Sequence, residues 1–88
     1  MDLKDMREQI DQIDRELVKL FVKRMQLSAQ IAAYKQERGL PVFVPERESE
    51  ILQCVADLSG AELEDYTRTL YATIFKLSRS YQIQRNAR

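Results

Sequence analysis

Arg24 interrupts an otherwise apolar row, with Leu20 before it and Leu27 after it. A buried arginine needs an anionic partner, because an unpaired charge in an apolar setting is very costly. That partner can be internal, in which case Arg24 only sets the register of a helix pair, or it can be a ligand. Lys35 lies 11 residues further on. Eleven residues make three helical turns, so the two cations share a face about 16 Å apart along the axis. Such a pair can grip a ligand with two separated negative groups. Taken alone, Lys35 reads first as an ordinary lysine near a helix C-terminus, where the helix dipole favours it.

Leu70, Ile74, Ser78 and Gln82 form an i, i+4 row that turns from apolar to polar at Ser78. Residues so spaced face one space, which is either a site or the emergence of a helix end into solvent. Glu48, next to Arg47, is the remaining carboxylate of interest; its alternative is a first-turn glutamate that suits the dipole. The sequence contains no histidine. Zinc ligation and imidazole acid–base or nucleophilic catalysis are therefore nearly excluded. Cys54 is the only cysteine, so no internal disulfide forms. Several cations, one carboxylate, one hydroxyl and one amide suit a dianionic substrate and a reaction helped by electrostatic stabilisation rather than covalent catalysis. No cofactor or metal is expected.

The elements that must position these groups follow from the breakers. Glycine and proline occur twice each, at Gly39, Pro41, Pro45 and Gly60. They predict an all-α chain of three helices, one long, one short and one of medium length. In the first, Leu3, Met6, Ile10, Ile13, Leu17, Leu20, Arg24, Leu27, Ile31 and Tyr34 keep spacings of three and four, an a/d seam. A helix of roughly 35 residues is about 50 Å long, and Gly39 suits its C-cap. Residues 40–44 are apolar and extended, read as a loop pinned by its own side chains, with an edge strand as the alternative. Pro45 suits the first turn of the second helix, on which Arg47, Ile51, Val55 and Leu58 share a face. Ser59 with Glu62 resembles a capping box for the third helix. That helix carries Leu63, Tyr66, Leu70, Ile74, Leu77 and Tyr81 on its apolar side and runs to about residue 84.

A chain of 88 residues is one domain, 1–88. At this size it buries only about 60–65% of its unfolded surface, and a monomer is marginal. The long helix is more than such a monomer can cover, so a second chain is expected along it. Arg7 lies 28 residues before Lys35, about 42 Å away in a straight helix. Both can serve one small-molecule site only if an antiparallel homodimer brings Arg7 of one chain to the far half of the other. Fourteen basic residues balance fourteen acidic ones, which disfavours nucleic acid as a partner. No apolar run approaches the roughly 20 residues of a membrane span. The polar start, Met1-Asp2-Leu3-Lys4-Asp5, is unlike a signal peptide, so a cytoplasmic location is expected.

Over essentially its whole length the sequence resembles the all-helical class of chorismate mutases. The resemblance is carried by residues 7–14 (Arg-Glu-Gln-Ile-Asp-Gln-Ile-Asp), Arg24, Lys35, Pro45-Glu46-Arg47-Glu48, and Ser78-Arg79-Ser80-Tyr81-Gln82, and by the spacing between them. It implies an intertwined antiparallel homodimer that binds chorismate and rearranges it to prephenate in phenylalanine and tyrosine biosynthesis. It further implies that Arg24 and the partner subunit's Arg7 bind the two carboxylates, and that Lys35 and Gln82 hydrogen-bond the ether oxygen. Glu48 would accept from the ring hydroxyl, Arg47 would support the electrostatics, and Ser78 would touch a carboxylate. The family often has aspartate where this chain has Val44; valine suffices if that position acts through its backbone N–H. An isochorismate-pyruvate lyase of the same fold is the nearest alternative, although the Glu48 position is expected to be apolar there. A non-catalytic helical dimerisation module is the more distant one.

Overall fold

The computed structural model describes residues 2–86 and consists of three helices in chain order: α1 (Leu3–Glu37), α2 (Pro45–Ser59) and α3 (Glu64–Asn86). No strand occurs among the described residues, and none of the helices is long and apolar enough to cross a membrane. The fold is all-α, as the breakers predict. α3 is the common partner: it packs against α2 on one side and α1 on the other, while α1 and α2 do not pack together.

The helix ends have local causes. The Asp2 carboxylate accepts from the Asp5 N–H at 2.9 Å and caps α1. At the other end Gly39 takes the left-handed conformation (φ 65°). Its N–H reaches the Gln36 carbonyl at 3.2 Å, and the Leu40 N–H reaches that of Lys35 at 2.8 Å. These two bonds make a Schellman turn, which stops α1 two residues past Lys35. Residues 40–44 are an irregular segment with a bend at Val42 rather than a strand. Pro45 begins α2 with its fixed φ, and Val44 is the N-cap residue, its side chain making no capping bond.

The predicted capping box does not form. The Ser59 hydroxyl instead donates to the Ala56 carbonyl at 2.9 Å, inside the last turn of α2. Residues 61–63 form a turn, and α3 starts only at Glu64, five residues after Ser59, so Glu62 is not on the helix it was to cap. α3 continues to Asn86, slightly beyond the expected end.

The larger departure concerns which faces are buried within the chain. Ala29, Ala32, Ala56, Phe75 and Ser78 are the buried residues among those described. Half-buried Phe21, Arg24, Met25 and Ser28 extend that face of α1. The apolar seam of α1 points elsewhere: Leu3, Met6, Ile10, Ile13, Leu17, Leu20, Leu27, Ile31 and Tyr34 are 47–61% exposed. Arg24, placed in that seam by spacing, belongs to the packed face. α3 shows the same division. Tyr66, Leu70 and Leu77 are exposed, as is Leu63 in the preceding turn, Ile74 and Tyr81 are half-buried, and Tyr71, Phe75, Ser78 and Gln82 turn inward. On α2 the inward face is Glu48, Ile51, Val55 and Ala56, with Arg47 and Leu58 outside. Small side chains let the helices approach closely, and they register weakly in hydropathy.

The bare N-cap of α2 yields a prediction. An Asp, Asn, Ser or Thr there typically contributes about 0.5–2 kcal/mol relative to an aliphatic residue. Val44→Asp should therefore raise the urea-unfolding free energy by about that amount, measured at one fixed protein concentration. An unchanged or lowered stability would contradict this account of the α2 start.

Candidate active site

A cavity of about 300 Å³ opens where α3 meets α1, α2 and the segment that joins them. That volume is at the small end of the range of about 300–1,000 Å³ for small-molecule sites. α1 contributes Arg24, Ser28 and Lys35, the connecting segment Val42, Phe43 and Val44, α2 Arg47, Glu48 and Ile51, and α3 Phe75, Ser78, Arg79, Gln82 and Ile83. Seven of the eight residues singled out in the sequence thus line one space: Arg24, Lys35, Val44, Arg47, Glu48, Ser78 and Gln82. Arg7 does not. It sits on the exposed N-terminal half of α1, 17 residues and about 26 Å of helix before Arg24.

Arg24 is held by rings. Its guanidinium carbon lies 5.6 Å from the centroids of both Tyr71 and Phe75, and these rings meet edge to face at 6.2 Å. The contact is within cation–π reach. It fixes the guanidinium over a buried aromatic surface without neutralising its charge. Neither Arg24 nor Lys35 makes an ion pair among the described residues. The internal salt bridge left open by the sequence is therefore absent there, and two uncompensated cations face the cavity from α1.

The acid opposite them is matched. Glu48 Oε2 accepts from Arg79 Nη1 at 2.5 Å, and the Arg79 guanidinium lies 5.2 Å from the Phe43 ring centroid. Arg47 is on the rim, where its nearest acid is Glu50 at 3.5 Å, with both side chains largely exposed. The Ser78 hydroxyl is buried and points at the Met25 sulfur, 3.4 Å away, a weak acceptor that a stronger one can displace. Gln82 is half-buried one turn further along α3.

Sequence reading passed over the aromatic pair Tyr71 and Phe75, and it gave Arg79 no role. Arg79 could have been singled out, because it stands three residues before Gln82 and so shares its side of the helix. The rings carried no such signal, since no spacing sets them apart from the exposed Leu70 and Leu77 of the same helix.

An all-helical chain whose cavity presents unmatched cations, an amide and one matched carboxylate has a wall chemically suited to a small dianion. Comparison with known proteins gives the class its family. The family described as chorismate mutase type II matches residues 6–83, and the chain belongs to it. The T-protein of Haemophilus influenzae is 43% identical over 75% of this chain. The bifunctional chorismate mutase/prephenate dehydratase of Aquifex aeolicus is 40% identical over 66% of it. The chain spans only 19% and 16% of the lengths of these two relatives. Among solved structures, the chorismate mutase (form I) of Thermus thermophilus superposes with a TM-score of 0.81 at 30% identity, covering 86% of this chain and 96% of that one.

Proposed function

We propose that the protein rearranges chorismate to prephenate, working as an intertwined antiparallel homodimer in which each cavity is completed by Arg7 from the other chain. The observation that carries this reading is the pair of unmatched cations, Arg24 and Lys35, on one wall of a cavity that also holds Glu48 and Gln82. The reaction is intramolecular. The ether C–O bond breaks as a new C–C bond forms, and no proton, water or electron enters or leaves. Catalysis then consists of holding the compact conformer and stabilising negative charge that develops on the ether oxygen.

The roles are those that the family resemblance implies, and the cavity accommodates them. Arg24, preset by its rings, takes one carboxylate, and the partner subunit's Arg7 takes the other. Lys35 and Gln82 donate to the ether oxygen. A neutral amide donates without first being protonated, so this part of the site does not require acid pH. Glu48 accepts from the ring hydroxyl through the oxygen that Arg79 leaves open. Ser78 reaches a carboxylate by rotating its hydroxyl away from Met25, and Arg47 adds positive potential at the rim. Val44 contributes its backbone N–H at the ring hydroxyl.

Three features support the second chain. Residues 3–20, the first half of α1, are exposed throughout. The radius of gyration is 16.1 Å, against about 12 Å for a compact chain of this length. The accessible surface is 7286 Å², where a folded monomer of this mass has about 5,400 Å². The excess is of the size that a stable interface buries on each partner. Placing Arg7 opposite the middle of the Arg24–Lys35 interval sets the antiparallel crossing near residue 18, and the seam residues of the two chains then face each other along the crossing.

Incubation with chorismate and, separately, with isochorismate tests the activity. Prephenate from chorismate is expected. Pyruvate release without prephenate would favour the lyase, and no turnover of either would favour a non-catalytic dimerisation module. Subunit exchange tests the assembly. Arg7→Ala and Lys35→Ala homodimers are each expected to be nearly inactive, and mixing them should restore activity, because one of the two sites in a heterodimer keeps both residues. No recovery despite demonstrated exchange would reject the shared site.

A further inference from the structure

The geometry points to Arg79 as a positioning residue for the rearrangement, one that acts on the substrate through Glu48; this rests on the role proposed for Glu48 above. Glu48 enters the cavity from α2 and Arg79 from α3, and they meet at 2.5 Å. The Arg79 guanidinium also lies over the Phe43 ring of the α1–α2 connection, 5.2 Å from its centroid. One side chain therefore ties three segments of the cavity wall together. The pair is partly exposed, 39% for Arg79 and 28% for Glu48, and an ion pair so placed contributes about 1 kcal/mol or less to stability. Its consequence lies in what it does to Glu48.

A glutamate has three side-chain torsions and, unrestrained, sweeps many positions. It would also be drawn toward Lys35 and Arg24, the unmatched cations across the cavity. That contact would cancel the charges meant for the substrate. The bond from Arg79 Nη1 to Oε2 holds the carboxylate at the α2–α3 side and leaves Oε1 as the acceptor for a hydroxyl. Arg47 does not do this, because it is turned to Glu50. Phe43 fixes the guanidinium from the other side, so the acceptor is set before substrate arrives, which is the condition for orientation to lower a barrier.

A double-mutant cycle tests this, with kcat and KM for chorismate measured on dimers verified as folded by circular dichroism. Arg79→Met keeps an apolar stem beside Phe43 and removes the charge and the donors. In the native background it should lower kcat/KM by about tenfold or more, and in a Glu48→Gln background by about twofold or less, a coupling within the usual range for contacting residues. Arg79→Lys, which keeps a cation beside Glu48, should recover most of the loss. Equal fold-losses in both backgrounds, with Glu48→Gln itself impaired, would overturn the proposal alone. They would mean that Arg79 acts directly on the dianion or only on folding. A Glu48→Gln enzyme as active as the native one would overturn both the role of Glu48 and the proposal built on it. If Arg79→Met does not fold, Arg79→Gln is read in the same cycle against the same outcomes.

Discussion

A charge that is held but not neutralised is the interaction on which the site depends. Arg24 comes from the packed face of α1 and rests against Tyr71 and Phe75 of α3. An acidic partner in their place would fix the guanidinium equally well and would spoil it as an anion site. Rings fix it through their quadrupoles and leave its donors free. Lys35, three turns later, is likewise unmatched among the described residues, and the Schellman turn around Gly39 ends the helix just beyond it. Two cations on one cavity wall without acidic partners favour an occupant that carries negative charge, which is the property the proposed reaction uses. Among the described residues, the only carboxylate lining that cavity is the one given its own guanidinium.

The same helix performs two unrelated packing tasks. Its C-terminal half uses Ser28, Ala29 and Ala32 to bring α3 close, which lets Arg24 reach the rings. Its other face carries a row of large apolar side chains that stays exposed within the single chain. A face of that kind marks an interaction surface, and in the proposed assembly a second copy of the chain supplies the matching one. Under the proposed assembly the seam brings an arginine to a cavity about 26 Å of helix away from it. Dimerisation and catalysis then have a common origin in the length of α1.

Much of this is legible in the sequence, and what is not has definite physical reasons. Gly39, Pro45 and Gly60 mark the helix boundaries because each is a backbone constraint, independent of what surrounds it. Arg24, Lys35, Glu48, Ser78 and Gln82 are visible as polar groups at helical spacings, and they do line one cavity. The facing of the helices is not legible. Apolar periodicity reports burial against anything, including a second chain, so the strongest stripes on α1 and α3 mark surfaces open in the single chain. On α1 and α3 the faces that pack within it mix alanines, serines, an arginine and aromatic residues, so no continuous apolar stripe marks them. Arg79 and Glu48 stand 31 residues apart, and only the packing of α2 on α3 makes them neighbours. The Ser59–Glu62 pattern misled because local spacing does not tell a hydroxyl which end of which helix it will serve.

The central claim is that the unmatched cations of α1 carry the reaction, and the chorismate-to-prephenate rate of Lys35→Ala tests it most directly. The substitution removes an ammonium group that has no ion-pair partner among the described residues, so the fold and the assembly should survive, as circular dichroism and sedimentation would show. The account predicts a folded protein whose turnover is lost. A folded Lys35→Ala protein that rearranges chorismate at the native rate would contradict it.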